Sequence, residues 1–65
     1  MIKGLTQGEI ARRMGNHQPN VSAWLSGKRI PSEQSLVDLA RAMEMEPDEL
    51  IAMIYRRRQR LKAQR

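Results

Sequence analysis

Apolar residues recur along this chain at helical spacing, and polar or glycine punctuation divides them into four runs. In the first run, Ile10, Ala11 and Met14 share one face. Thr6 stands before it as an N-cap, and Gly15 follows it as a turn residue with no Cβ penalty. In the second run, Val21, Trp24 and Leu25 form another stripe, and the small Ala11 lets this second helix cross close against the first. A polar loop from Gly27 to Pro31 leads to Ser32, a good cap, with Ser35 three residues on in place of a capping-box glutamate. Leu36, Leu39, Ala40 and Met43 then stand at i, i+3, i+4 and i+7, a stripe suited to packing across the first two helices. Glu46-Pro47-Asp48-Glu49 stops the chain and restarts it, because proline is accommodated in a first helical turn and acids favour the positive end of the helix dipole. The last helix carries Leu50, Ile51 and Ile54, and its arginine-rich end lets it run close to residue 62, far enough to include Leu61. Strand-like alternation and internal repeats are both missing from the sequence. The pattern predicts an all-α bundle of about four helices, with residues 1–54 as the folded domain and 55–65 as a basic helical extension.

Two short amphipathic helices joined at Gly15 at a steep angle make a helix-turn-helix unit, whose second helix lies in the DNA major groove. Leu5-Thr6-Gln7, Ile10-Ala11, Met14-Gly15, Gln18, Val21-Ser22, Trp24, Gly27-Lys28 and Pro31-Ser32 occur in the order and spacing of one family. On these residues the chain resembles the Cro/phage-repressor (xenobiotic-response, lambda-repressor-like) helix-turn-helix proteins. The likeness continues more loosely through Leu36-Val37-Asp38-Leu39-Ala40 and Ala42-Met43 to Asp48-Glu49-Leu50. The family usually has a complete helix before the Leu-Thr-Gln stretch, and only Met1 to Gly4 precede it here. The extended last helix is therefore expected to cover the apolar surface, by folding back or by packing against a second copy. Leu50, Ile51, Ile54 and Tyr55 are the expected dimer interface, closure of the monomer core being the other use for them.

The resemblance also implies roles on the recognition face. Gln7 is expected to touch a phosphate and brace Gln18, a double task that suits an amide with both donor and acceptor. Gln18, in the first turn of the recognition helix, is the leading base reader, able to pair bidentately with adenine N6 and N7. His17 precedes it where relatives often have a serine or threonine cap; it contacts phosphate or guanine, or is an exposed spectator, and Asn16 is the alternative cap. Pro19 replaces a usual polar reader and can meet a thymine methyl but cannot donate a hydrogen bond. Asn20 would reach phosphate or adenine, while Ser22 and Ala23 are short enough to let the helix sit deep. Lys28 and Arg29 follow the helix where the family's loop runs beside the phosphodiester backbone. Arg12 and Arg13 rank below them, pairing with Glu9 competing for Arg13.

Charge changes the picture only once it is located. Of the 65 residues, the first 32 carry Lys3, Arg12, Arg13, Lys28 and Arg29 against Glu9, a net +4. Residues 33–54 carry Arg41 against Glu33, Asp38, Glu44, Glu46, Asp48 and Glu49, a net −5, and residues 55–65 hold six cations and no acid. A basic helix-turn-helix half before an acidic half suits a module that presents one face to phosphate. The tail Arg56-Arg57-Arg58-Gln59-Arg60-Leu61-Lys62 has three readings: DNA contact, an acidic partner, or a solvated helix end.

The chain has no cysteine and one histidine, which leaves no disulfide framework, no zinc ligand set and no nucleophilic triad. Glu46, Asp48 and Glu49 read as dipole complements at a helix start rather than an acid/base pair. No catalytic residue, metal, cofactor or small-molecule ligand is expected, and no apolar run reaches membrane-spanning length. The sequence thus points to a non-enzymatic, cytoplasmic, nucleoid-associated regulator of a bacterial or phage-infected cell. It would bind an inverted-repeat operator in double-stranded DNA as a homodimer. A helix-turn-helix scaffold used as a protein-interaction module is the alternative.

Overall fold

The computed structural model describes residues 5–63 and contains four helices: α1 (Gln7–Met14), α2 (Gln18–Ser26), α3 (Glu33–Met43) and α4 (Pro47–Ala63). No strand occurs among the described residues, so the all-α expectation holds. The residues preceding Leu5, where relatives carry a further helix, lie outside the described residues. The expected boundary between residues 54 and 55 falls inside α4, which runs through it unbroken.

Local chemistry sets most of the helix ends. Thr6 is in extended conformation and its hydroxyl accepts the Glu9 N–H at 3.2 Å, which satisfies one of the unpaired donors of the first turn. Ser32 does the same for α3 by accepting the Ser35 N–H at 3.2 Å, and its hydroxyl donates to Ser35 Oγ at 3.0 Å. Replacing Thr6 with alanine is expected to cost about 1 kcal/mol, read as a lower urea midpoint with an unchanged m-value. At the other end of α1, Gly15 takes the left-handed conformation with φ 68°. There the Gly15 N–H donates to Arg12 O at 3.2 Å and the Asn16 N–H to Ala11 O at 2.9 Å, a Schellman closure. Helix α3 ends in the same way at Glu44, whose φ of 55° makes it the one described non-glycine residue in that region.

Each helix packs against two others, in the ring α1–α2–α4–α3–α1. The core inside this ring consists of Ile10 and Ala11 from α1, Val21, Trp24 and Leu25 from α2, Leu39, Ala40, Ala42 and Met43 from α3, and Leu50 and Ile54 from α4. Leu5, Met14, Leu36, Met45 and Met53 pack partly buried around it. Helix α4 thus closes the core of a single chain. Of the four residues expected at a dimer interface, Leu50 and Ile54 have no exposed surface at all and are core residues. Their i, i+4 spacing places both on the face that meets α2 and α3. Ile51 is half-buried and Tyr55 exposed, so only these two keep surface for a second copy.

An arginine of α1 ties two helix ends together across the ring. Arg13 on α1 donates from Nη1 to Ala42 O at 3.1 Å, at the C-terminal end of α3, and stands 3.9 Å from the Glu44 carboxylate. The expected competition for Arg13 by Glu9 is therefore absent: Arg12 makes that pair instead, one turn away along the exposed side of α1. The hydrogen bond from Arg12, and then its charge, hold the Glu9 carboxyl below its ordinary value. The stabilisation from this exposed pair is small, is present above the carboxyl's unfolded pKa, and is lost as pH falls through the lowered one.

Candidate nucleic-acid interface

Helix α2 buries Val21, Trp24 and Leu25 and turns its opposite side outward. His17, Gln18 and Pro19 are exposed at its start, while Asn20, Ser22, Ala23 and Ser26 are half-buried along it. Lys28 and Arg29 are exposed in the loop immediately after it. The expected DNA-facing residues of α2 and its loop therefore lie on one continuous stretch of surface, with Gln7 half-buried at the start of α1. No acidic residue lies anywhere from His17 to Ser32, so a phosphate approaching this stretch meets no carboxylate from it.

The start of α2 is built differently from the sequence expectation. His17 occupies the N-cap position but its side chain caps nothing. Asn16 does not cap either; its Oδ1 accepts the His17 N–H at 2.7 Å and the Asn20 Nδ2–H at 2.9 Å. That pairing tethers the Asn20 amide to the turn and engages one of its donors, leaving Gln18 as the freer amide of the two. The first two positions of α2 are Gln18 and Pro19, and proline has no N–H to satisfy. The helix thus begins without a side-chain cap.

Gln18 is positioned by α1. A Cβ built on Gly8 would stand 3.6 Å from Gln18 Oε1, so the glutamine amide lies beside the first turn of α1, next to a residue with no side chain. No hydrogen bond joins Gln7 and Gln18 among the described residues. The Trp24 side chain is buried at 7 % exposure, and no buried side-chain nitrogen or oxygen among the described residues is left without a hydrogen-bond partner.

The C-terminal end of α2 holds the residues that sequence reasoning missed. Gly27 takes φ 86°, and its N–H donates to Trp24 O at 3.2 Å. The Arg29 N–H donates to Ala23 O at 3.2 Å. One further α2 carbonyl and two in the loop after it are served from α4. Arg57 Nη1 donates to Leu25 O at 2.7 Å, and Arg58 Nη1 donates to Gly27 O at 3.0 Å and Lys28 O at 3.3 Å. Guanidinium groups at this position satisfy unpaired carbonyls and complement the negative end of the helix dipole. Part of the arginine run is therefore tied to the body of the fold: Arg57 and Arg58 finish α2 and hold its loop. A register signal was present, since Arg57 stands seven residues after Leu50 and three after Ile54, on the buried face of α4.

Among the described residues no group of three or more histidine, cysteine or acidic side chains is placed to hold a metal ion, and no helix is long and apolar enough to cross a membrane. Compared with known families, residues 2–50 match the helix-turn-helix model of Cro/C1 type, well over half of the chain. Neither the curated proteins nor the solved structures contain a match to this sequence. With the outward face of α2, its basic loop and the ring of four helices behind them, the chain belongs to the Cro/C1-type helix-turn-helix family of DNA-binding regulators.

Proposed function

We propose that this protein is a sequence-specific repressor, of the small phage or mobile-element type, that occupies an inverted-repeat operator as a homodimer. The observation carrying this reading is the face of α2, where Gln18, Pro19, Ser22 and Ala23 share one side with Lys28 and Arg29 beyond them and no acid between. Gln18 reads a base edge in the major groove, for which adenine offers the matching donor and acceptor. Pro19 and Ala23 favour apolar contact with thymine methyl groups. Lys28 and Arg29 set register on the phosphates without reading sequence. Ile51 and Tyr55 are the surface on which two copies meet. A chain with extents of 33 × 24 × 22 Å allows two copies to set their recognition helices about 34 Å apart, one turn of B-DNA. Bound in this way the protein represses by excluding polymerase from a promoter, its own included.

Selection of bound duplexes from a random library, at a fixed near-physiological salt, tests the reading. The expected product is a palindromic site. Absence of enrichment over bulk DNA would sink the proposal in favour of a protein-interaction role for the same scaffold. On the selected site, Gln18→Ala is expected to lose about 1–3 kcal/mol of discrimination at one base position. Lys28→Ala serves as the contrast, weakening all sequences alike. An unchanged preference in Gln18→Ala would show that another residue does the reading.

A further inference from the structure

Beside the recognition loop, the far end of α4 forms a groove with a volume of about 470 Å³, lined by Gly27, Lys28, Arg58, Leu61 and Lys62. Three of its five lining residues are cations, none is an acid, and no ion pair of Lys28, Arg58 or Lys62 occurs among the described residues. Arg58 is held at the groove by its bonds to Gly27 O and Lys28 O, which fix its position and leave its charge uncompensated. Like charges gathered from two segments thirty or more residues apart repel one another, and a polyanion relieves that repulsion. Leu61, 36 % exposed, adds an apolar wall.

From this placement we infer that the groove seats the sugar-phosphate backbone of duplex DNA at the edge of the half-site. Lys28 and Lys62 contact one phosphate region from two sides, and Leu61 lies against a deoxyribose. The inference rests on the DNA-binding reading given above and adds α4 to the contact surface. Geometry favours duplex backbone over an acidic peptide. Helix α2 has nine residues, about 13 Å long at a rise of about 1.5 Å per residue. That is close to the width of the major groove, about 12 Å. If its first turn meets base edges, its last turn and the groove beside it come to the flanking phosphates. Charge without a hydrogen-bonding pattern for a base is what such a contact requires.

Lys62→Gln tests this, because Lys62 is exposed near the end of α4 and its loss leaves the core untouched. Binding of the full chain to a labelled duplex is followed as salt is raised, once with the selected site and once with that sequence scrambled. Neutralising one phosphate contact should reduce the magnitude of the salt slope by about 0.9 for each copy bound. The reduction should be the same on both duplexes, and Lys62→Arg should restore it. An unchanged slope overturns the inference while leaving the recognition helix intact; polyglutamate binding abolished by Lys62→Gln would then assign the groove to an acidic polypeptide. A loss confined to the selected sequence also overturns it, since a backbone contact carries no sequence preference. If the unaltered chain binds neither duplex, the inference falls together with the reading beneath it.

Discussion

Gly27→Ala is expected to destabilise the protein by about 2–5 kcal/mol, the largest effect of any conservative substitution outside the core. Two costs combine. A Cβ at φ 86° carries the left-handed penalty of about 1–2 kcal/mol. The same atom would stand 2.6 Å from Arg58 N, 2.8 Å from Arg58 Cα and 3.1 Å from Arg57 C. These are backbone atoms in the middle of α4, so no flexible side chain can move aside, and relief requires shifting the helix itself. Leu50 and Ile54 hold that helix in the core with no exposed surface, and any shift also draws the Arg57 and Arg58 guanidinium groups off their carbonyls. Gly15→Ala separates the two costs. Its φ is 68°, but nothing lies within 4 Å of the added carbon, so only the conformational penalty of about 1–2 kcal/mol applies. Urea unfolding of both variants gives the comparison; equal losses would show that α4 does not press on the loop. For 65 residues the whole stability is on the order of 3–10 kcal/mol, so Gly27→Ala can leave the chain largely unfolded.

Ile54→Ala is the second large effect, expected at about 2–5 kcal/mol from lost burial and the cavity left behind. Its value lies in where the loss appears. Ile54 has no exposed surface within one chain, so its truncation should lower stability by the same amount at low and high protein concentration. Tyr55, 50 % exposed on the adjoining face, should behave in the opposite way. Tyr55→Ala is expected to change the unfolding free energy of the isolated chain by no more than about 0.5 kcal/mol and to weaken self-association. Sedimentation of the two variants, together with unfolding at two concentrations, checks both. If Ile54→Ala lost stability only where the protein self-associates, the assignment of α4 to the monomer core would be wrong.

The elements that local chemistry specifies were legible in the sequence. Thr6 and Ser32 act on N–H groups three residues away, and Gly15 acts on its own backbone, so nothing distant decides α1 or the start of α3. The stripes of α1 and α2 found the core residues Ile10, Ala11, Val21, Trp24 and Leu25 for the same reason. Residues whose partners lie far along the chain were read less well. Arg13 could pair with Glu9 four residues back or with a carbonyl on another helix, and periodicity has no means of choosing between them. Ile54 reads as an interface residue as readily as a core one, because apolar surface on a last helix looks alike whether a second copy or the chain's own α2 and α3 covers it. The arginine run was harder still, since a guanidinium that finishes another helix carries the same charge as one in water. The outward face of α2 was legible as a surface because one helix defines it. The internal pairing of Asn16 with Asn20 and the contact of Gln18 with α1 depend on rotamers and on helix crossing, which the sequence pattern does not encode.

Donors on α4 that complete α2 also set where this chain can be spliced. The stretch shared with the family ends at residue 50, yet the guanidinium groups that finish α2 and its loop sit at 57 and 58. A chimera that takes a foreign helix-turn-helix unit and joins it at residue 50 keeps this α4, but its last turns now face a loop they were not shaped for. In the reverse exchange the reading helix travels without its clasp. Recombination between relatives, or the grafting of a new specificity by design, therefore has to move two stretches of chain together, separated by about thirty residues. On the proposed reading, operator preference would drift by point substitution on the outer face of α2 far more readily than it would be acquired by exchanging segments.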